Sequence, residues 1–232
     1  PGVWVLVARP VLLFVAGFGE RMNTLSANCP NPMVKVAGSP LIDHALGLAD
    51  EISPTVVVAN LHYRPESLLL HLEPKGVKTI LEHPEILETG GGLRNALPVL
   101  GTGPVITMNT DAIWSGPNPL RLLLDAWNPL RMDALLMGVP PENALEHEGA
   151  GDFTLDSAGR LSRGAGVVYG GVQIIKTDLL AAVPESAFSL NLIWDKMLAK
   201  GTLHGIRYPG RWCDVGHPGG IKTAEDLLAA DV

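Results

Sequence analysis

Residues 11–22 read Val-Leu-Leu-Phe-Val-Ala-Gly-Phe-Gly-Glu-Arg-Met, an apolar run that passes directly into a glycine-rich loop. The apolar residues of Val11–Ala16 predict a fully buried strand that ends at Gly17. Glycines after such a strand let backbone N–H groups approach an anion closely, although a plain tight turn has the same pattern. Arg21 adds a cation that can hold phosphate oxygens through two hydrogen bonds. This combination favours a phosphate-binding loop.

The loop differs from two common phosphate-binding motifs. Met22 occupies the third glycine position of the dinucleotide-binding fingerprint. No Gly-Lys-Ser/Thr sequence follows, so the loop is not a P-loop of the Walker type either. The glycines alone therefore do not decide which phosphate compound would bind.

Strands and helices alternate beyond the loop. The pattern predicts helices over 41–51, 65–72 and 92–100, and strands over 55–59, 77–81 and 104–108. Such alternation implies βαβ units and a mostly parallel sheet, in which ligands bind beyond the carboxyl ends of the strands. The first strand and the strand over 104–108 should therefore bring Gly17–Arg21 and Asn109–Asp111 to the same edge.

The second half is less regular but continues the same pattern. It predicts strands over 133–139, 167–175, 203–208 and 211–213, a hairpin over 152–161 and helices over 189–199 and 221–230. No linker-like segment separates the two halves. We therefore expect one α/β domain spanning residues 1–232, with a Rossmann-like, mixed and mostly parallel sheet flanked by helices.

The composition excludes several classes of protein. Of 232 residues, 47% are hydrophobic and 18% charged, the opposite of the balance in disordered chains. The net charge of −7 argues against a nucleic-acid partner, which needs a dense cationic surface. The 26 glycines and 19 prolines follow no repeat and indicate many loops.

The cysteines and the N-terminal segment bear on the compartment. Cys29 and Cys213 cannot form a secreted disulfide framework, and free thiols are typical of a reducing compartment. The apolar run Val3–Phe18 is broken by Arg9 and Pro10 and is shorter than the roughly 20 residues of a membrane helix. No basic cluster precedes it, as a signal peptide would require. We expect a cytoplasmic protein with no membrane partner.

The glycine loop is the start of a longer pattern over residues 14–38. This segment resembles the signature A-A-G-x-G-x-R-M-x-P-L-T-x-x-x-P-K-P-[LM]-x-x-V-x-G of sugar-1-phosphate nucleotidyltransferases. The matching positions are Ala16, Gly17, Gly19, Arg21, Met22, Leu25, Pro30, Pro32, Met33, Val36 and Gly38. Further matches follow in order at Glu88–Gly92, Asn109–Asp111, Gly151–Phe153 and Trp212–Gly216. The resemblance extends from about Val11 to Ala230, and is greatest to the short bacterial branch that uses N-acetylmuramate 1-phosphate and uridine nucleotides.

The resemblance implies an activity: a nucleoside triphosphate and a sugar 1-phosphate give a nucleotide sugar and pyrophosphate. The sugar phosphate attacks the α-phosphorus, so no covalent protein nucleophile is needed. We expect about 11–110 to bind the nucleotide and about 111–232 the sugar phosphate. We expect a monomer or a homodimer. Its binding partners are these two substrates.

The resemblance also implies the residues of the site. Arg21 and Asp111 are expected to be catalytic, and Asp111 and Asp214 to hold Mg²⁺, which prefers oxygen ligands. Asp111 alone, after a strand, is more often a helix cap or turn residue. The sugar phosphate is assigned to Asn109, Gly151 and Asp152. The nucleotide is assigned to Ala16, Gly17, Gly19, Glu20, Arg21, Asn31, Gly90 and Gly91. Gly90 and Gly91 would lie flat against the base and bind its edge through backbone N–H and C=O groups, although three glycines in a row are also typical of a flexible joint.

One departure from the signature bears directly on activity. Asn31 stands where the family has the lysine of Pro-Lys-Pro, and a neutral amide cannot replace that charge. Losing a cation aimed at developing phosphate charge typically costs on the order of 10²–10³ in rate. Lys35 is the one nearby candidate for compensation. Activity is therefore the leading hypothesis, with a nucleotide-sugar-binding pseudoenzyme as the second.

Other readings of the sequence are weaker. A mannose-1-phosphate guanylyltransferase is the alternative within the same family. A glycosyltransferase would need an Asp-x-Asp motif, which Asn109-Thr110-Asp111 satisfies only in part. The seven histidines show no zinc-binding spacing, and no Gly-x-Ser-x-Gly motif supports a hydrolase.

Overall fold

The computed structural model describes residues 7–17, 29–62 and 65–231. Its first part contains β1 (Val11–Phe14), β2 (Lys35–Val36), β3 (Ser39–Pro40), α1 (Leu41–Asp50), β4 (Val57–Leu61), α2 (Pro65–Leu72), β5 (Lys78–Leu81), α3 (Glu88–Leu100) and β6 (Val105–Asn109). Its second part contains β7 (Ala112–Ser115), α4 (Pro119–Ala126), β8 (Ala134–Val139), β9 (Ala144–Leu145), β10 (Phe153–Leu155), β11 (Leu161–Arg163), β12 (Val168–Ile175), α5 (Asn191–Lys200), β13 (Leu203–Arg207), β14 (Arg211–Asp214) and α6 (Gly219–Ala229).

Seven strands form the central sheet, in the order β13-β8-β12-β6-β1-β4-β5. β1 is parallel to both of its neighbours, with Phe14 opposite Asn60 of β4 and Asn109 of β6. β12 is antiparallel to β6 and β8 and joins the two parts of the chain in one sheet. The predicted mixed, mostly parallel α/β fold is confirmed.

Helices cover both faces of this sheet because its strands are apolar on both sides. On one face, Val11 and Leu13 of β1 share a core with residues of α1, α2 and α4. On the other face, Leu12 of β1 packs in a core with residues of α3 and α5. Strands of a sheet that is buried on both faces have continuous apolar sequences. This is why apolar and polar residues do not alternate in Val11–Ala16.

A second, three-stranded sheet lies beside the carboxyl end of β6, in the order β7-β14-β9. β14 is antiparallel to β7, with Asp214 opposite Ala112. Ile113, Cys213 and Val215 pack in a core that includes Ala224 and Leu227 of α6. This small sheet returns the end of the chain to the edge where β6 ends.

Most predicted elements are present with bounds shifted by one to a few residues. The hairpin is confirmed as β10 and β11, and the helix predicted over 65–72 has those bounds. The helix predicted over 92–100 begins earlier, at Glu88, and includes all three glycines. The strand β7 and the helix α4 were not predicted. Among the helices in the described ranges, none is both long and apolar enough to span a bilayer.

Candidate functional site

An open cavity of about 800 Å³ lies beyond the carboxyl ends of β1, β4 and β6. The parallel strands end side by side there, so the polar residues that follow them come together, as expected for an open α/β sheet. We call this the first cavity. Its described lining residues are Phe14, Val15, Ala16, Gly17, Asn31, Pro32, Asn60, Glu82, Ile86, Glu88, Thr89, Asn109, Thr110 and Asp111.

A second cavity of about 700 Å³ shares Phe14, Thr89 and Asn109 with the first. The two cavities are therefore adjacent, with Asn109 at their junction. The second cavity is lined further by residues of the β10–β11 hairpin, β12 and the start of α5. These are Asp152, Phe153, Arg163, Tyr169, Gln173, Ser189, Leu190, Asn191 and Trp194.

A glycine of the neighbouring strand leaves room for Asn109 at the junction. Gly171 of β12 has φ +94°, and a Cβ there would lie 2.9 Å from Asn109 Nδ2 and 3.0 Å from Asn109 Cβ. The register between β12 and β8 shifts in this region, between Tyr169 and Gln173. The irregularity in β12 thus makes room for the Asn109 side chain.

Asp111 and Asp214 lie on neighbouring segments of backbone at the edge of the first cavity. Asp111 lines it, and the Asp111 carbonyl accepts a hydrogen bond from Val215 N at 2.8 Å. Asp214 is therefore on the strand beside Asp111, and its Oδ1 accepts from Gly216 N at 2.7 Å. The small sheet β7-β14-β9 thus brings together two residues far apart in the sequence.

This pair fits the chemistry of Mg²⁺. Mg²⁺ is usually bound by one or two carboxylates, with water and substrate phosphates completing its octahedron. Within residues 7–17, 29–62 and 65–231, no group of three or more His, Cys, Asp or Glu side chains could hold a metal ion. Two carboxylates on neighbouring segments are a number of ligands that a substrate-completed Mg²⁺ site uses.

A buried polar pair, which the sequence analysis did not identify, forms the floor of the first cavity. Asn60 and Glu82 are 3% and 1% exposed. Asn60 Oδ1 accepts from Val15 N at 2.7 Å, and Asn60 Nδ2 donates to Glu82 Oε1 at 2.8 Å. Glu82 Oε2 accepts from Leu87 N at 2.9 Å. The pair thus ties the end of β1 to the segment that precedes α3.

A second buried polar group lies beneath the second cavity. Gln173 of β12 donates from Nε2 to Thr107 Oγ1 and accepts from Trp194 Nε1, both at 3.0 Å. Burial raises the pKa of Tyr169, and its hydrogen bonds with Thr107 and Gln173 only partly oppose this. The phenol therefore stays neutral, and the hydrogen bonds fix the rings of Tyr169 and Trp194, whose centroids are 4.9 Å apart.

Several predicted site residues line these cavities. Ala16, Gly17, Asn31, Asn109 and Asp111 line the first, and Asp152 lines the second. Gly151 has φ +102°, and a Cβ there would lie 2.2 Å from the Gly166 carbonyl oxygen, so it sets the backbone before Asp152. Gly19, Glu20 and Arg21 lie outside the described residues.

Gly90 and Gly91 require a correction. Both donate their backbone N–H to the Phe188 carbonyl, at 2.8 and 3.1 Å. Those N–H groups are engaged within the fold and do not face a base, contrary to the prediction. The α3 residues that line the first cavity are Glu88 and Thr89.

Asn31 begins a 3₁₀ turn, Asn31–Met33, beside Ala16 and Gly17 in the wall of the first cavity. Its Oδ1 is buried and has no hydrogen-bond partner. The position where the signature has a lysine therefore lines the cavity, and it carries a neutral amide.

Comparison with known proteins gives consistent similarities. The family model of the MobA-like NTP transferase domain matches residues 11–146. The chain is 35% identical to N-acetylmuramate α-1-phosphate uridylyltransferase of Caulobacter vibrioides, covering 94% of this chain and 96% of that protein. It is 31% identical to the protein of the same name from Neisseria meningitidis serogroup B, covering 94% and 98%.

The fold has solved counterparts. HddC from Yersinia pseudotuberculosis, crystallised with GMP-PN, superimposes with a TM-score of 0.76. The match covers 95% of this chain and 99% of that one at 20% sequence identity. At this identity the comparison supports the fold alone.

Proposed function

The chain belongs to the MobA-like NTP transferase family, and from this premise we propose that it is a uridylyltransferase acting on an N-acetylmuramate-like sugar 1-phosphate. The reaction joins a nucleoside triphosphate to a sugar 1-phosphate and releases pyrophosphate. An oxygen of the sugar phosphate forms a bond to the α-phosphorus as the bond from that phosphorus to the pyrophosphate oxygen breaks. The choice of uridine and of the sugar rests on the names of the two relatives.

The observation that carries the proposal is that the two cavities are adjacent and share Asn109 in their walls. The described lining residues of the first cavity extend no further along the chain than Asp111. Apart from the three shared residues, those of the second belong to the later part of the chain. A nucleotide in the first and a sugar phosphate in the second would meet at Asn109. Such alignment of two reactants is itself a large part of the catalysis of a displacement reaction.

In this proposal the chain's residues orient and bind the substrates. Asp111 and Asp214 would hold Mg²⁺, which when bound neutralises charge on the phosphate oxygens. Arg21 would bind the triphosphate from the loop after β1, with Ala16, Gly17, Gly19 and Glu20. Asn109 and Asp152 would hydrogen-bond the sugar phosphate, with Gly151 positioning Asp152. Gly90 and Gly91 would act by letting α3 pack closely, so that Glu88 and Thr89 reach the nucleotide.

We also propose a cellular compartment and an oligomeric state for the protein. Cys29 and Cys213 are free thiols, which supports a reducing, cytoplasmic compartment. We propose a monomer or a homodimer. Its binding partners are the nucleoside triphosphate and the sugar 1-phosphate.

A steady-state assay of pyrophosphate release tests this function. With Mg²⁺, we expect the highest kcat/KM for UTP with N-acetylmuramate 1-phosphate, compared with GTP and with mannose 1-phosphate. Asp111→Asn should lower kcat on the order of 10²–10³-fold, while Asp125→Asn, exposed on α4, should not. No release with any pair by the folded protein would contradict the activity, and preference for GTP with mannose 1-phosphate would favour the guanylyltransferase alternative.

Asn31 gives a second test that separates enzyme from pseudoenzyme. If only the missing cation limits the rate, Asn31→Lys should raise turnover at least about tenfold, and Asn31→Ala should not. Calorimetry with UTP should accompany both assays. Nucleotide binding without turnover in the wild type and in Asn31→Lys would support the pseudoenzyme instead.

A further inference from the structure

One arginine lies in the wall of the second cavity, and its neighbours fix its position. Arg163 is at the end of β11, opposite Phe153 of β10, and its Cζ lies 5.1 Å from the centroid of the Phe153 ring. Nη1 donates to Asn191 Oδ1 at 2.9 Å, and Nη2 donates to Asp195 Oδ1 at 2.8 Å. The hairpin and α5 together therefore hold the guanidinium in place.

The guanidinium retains the capacity to bind a ligand. Arginine has five N–H donors, and the bonds to Asn191 and Asp195 use two of them. The side chain is 43% exposed and lines the second cavity. A planar guanidinium binds a carboxylate through two parallel hydrogen bonds, a geometry that a lysine cannot reproduce.

The charges around the two cavities make this arginine distinctive. Among the described lining residues, the first cavity has the acidic side chains of Glu82, Glu88 and Asp111, and the second has Asp152 and Arg163. Arg163 is the only cation among those described lining residues. It therefore offers the second cavity a binding partner for negative charge at a defined place.

Two further groups set the polarity beside Arg163. Ser189 to Asn191 form the N-terminal end of α5 in the cavity wall, and the positive end of a helix dipole favours an anion. Asp152 on the hairpin accepts from Tyr169 N at 2.8 Å through Oδ2. A carboxylate there suits the hydroxyl and amide donors of a sugar. The wall thus presents an acceptor and a cation to the same ligand.

We propose that Arg163 is a specificity-determining residue that pairs with a carboxylate carried on the sugar ring of the sugar 1-phosphate. This inference rests on the proposed function, and it assigns the discrimination between acidic and neutral sugars to one side chain. N-acetylmuramate 1-phosphate and N-acetylglucosamine 1-phosphate are the natural probes, because they differ only by a lactyl ether that carries a carboxylate.

The experiment compares both sugars, with UTP and Mg²⁺, in the wild type, Arg163→Gln, Arg163→Lys and a control, Arg160→Gln. Arg160 is on the same hairpin and is paired with Asp156, but it is not among the residues lining the cavity. Arg163→Gln should raise KM for the acidic sugar about tenfold to a hundredfold with little change in kcat. KM for the neutral sugar should stay within about twofold, Arg163→Lys should lie between, and Arg160→Gln should match the wild type.

Calorimetric binding of each sugar phosphate, with a non-hydrolysable UTP analogue present, separates this inference from the proposed function. If no pair turns over but Arg163→Gln weakens binding of the acidic sugar selectively, the activity fails and the inference holds. If the wild type turns over and Arg163→Gln affects both sugars equally or neither, the function stands and the inference is wrong. A wild type that binds the two sugars equally would also overturn it.

Discussion

At the scale of single residues, the first cavity depends on the buried pair that forms its floor. Asn60 is the last residue but one of β4 and Glu82 follows β5, and both side chains are almost fully buried. A buried carboxylate is costly unless its oxygens are hydrogen-bonded, and here Asn60 Nδ2 and Leu87 N provide one donor to each oxygen. Glu82 therefore stabilises the backbone that the nucleotide would approach.

Replacing Glu82 by Gln tests this role. The amide has the same shape but turns one acceptor oxygen into an NH₂ group, which would face either Asn60 Nδ2 or Leu87 N, both donors. We expect a loss of about 1–3 kcal/mol in the free energy of unfolding, measured by urea denaturation. Glu85→Gln, at an exposed position of the same segment, is the control and should change little. Equal stabilities of the two variants would contradict the role assigned to Glu82.

The sequence could predict some residues of the site but not this pair. Ala16, Gly17, Asn31, Asn109 and Asp111 were found because they follow strands or fall within one contiguous signature. Asn60 and Glu82 carried a weaker signal, a polar residue at the carboxyl end of each of two neighbouring strands. Their hydrogen bond joins residues 22 positions apart, and no local pattern records such a contact.

At the scale of elements, the three glycines of α3 show why the predicted helix began at residue 92 although the helix begins at Glu88. Glycine is a poor helix former, so the sequence favours a loop before residue 92. The fold overrides this because the first turn of α3 packs directly against the segment 186–188. A Cβ on Gly91 would lie 2.4 Å from the Ser186 carbonyl oxygen, so only glycine fits.

Two helical glycines give a matched comparison. Gly91→Ala adds a methyl group against backbone, and overpacking of this kind costs about 1–3 kcal/mol. Gly47→Ala in α1 meets nothing within 4 Å and should stabilise the protein by about 0.5–1 kcal/mol. Denaturation curves of both variants would measure the two effects. A stabilising Gly91→Ala would mean that α3 can move away from residues 186–188 at little cost.

The strands were easier to predict than the helix boundaries, for a physical reason. The inner strands of the central sheet are buried on both faces and appear as largely apolar runs, such as Val11–Phe14. The helix α4 was missed although Asn118 caps it, accepting from Leu120 N at 2.9 Å, and Pro119 occupies its first turn. That Asn-Pro pair is a recognisable helix start, and the signal was present in the sequence.

At the scale of the whole molecule, Asp133 joins the strands on one side of the sheet. It precedes β8. Its backbone N–H donates to the carbonyl of Thr202, before β13, and its carbonyl accepts from the backbone N–H of Lys176, after β12. Its carboxylate accepts from Thr202 Oγ1 at 2.7 Å, Lys200 Nζ at 3.1 Å and Lys176 Nζ at 3.3 Å. Burial by itself raises the pKa of Asp133, but these hydrogen bonds outweigh it and lower the pKa below its usual value.

The lowered pKa of Asp133 predicts how the fold responds to acid. The folded state holds the ionised form more tightly than the unfolded chain does, so the stabilisation is complete above the unfolded pKa of about 3.9. It is lost as the pH falls through the lower folded value, because the unfolded chain then binds more protons. Asp133→Asn removes both ion pairs and should cost about 1–3 kcal/mol near neutral pH, while the difference from the wild type narrows as the pH falls below about 4.

Urea denaturation of both proteins from neutral pH to about pH 2 measures that difference across the range in which Asp133 becomes protonated. Asp226→Asn is the control, since Asp226 is paired only with the exposed Lys222 on α6 among the described ion pairs, and surface pairs of this kind contribute little. Its stability should follow that of the wild type at every pH. A gap between wild type and Asp133→Asn that stays constant with pH would show that the substitution acts through packing, and that the charge of Asp133 does not stabilise this side of the sheet.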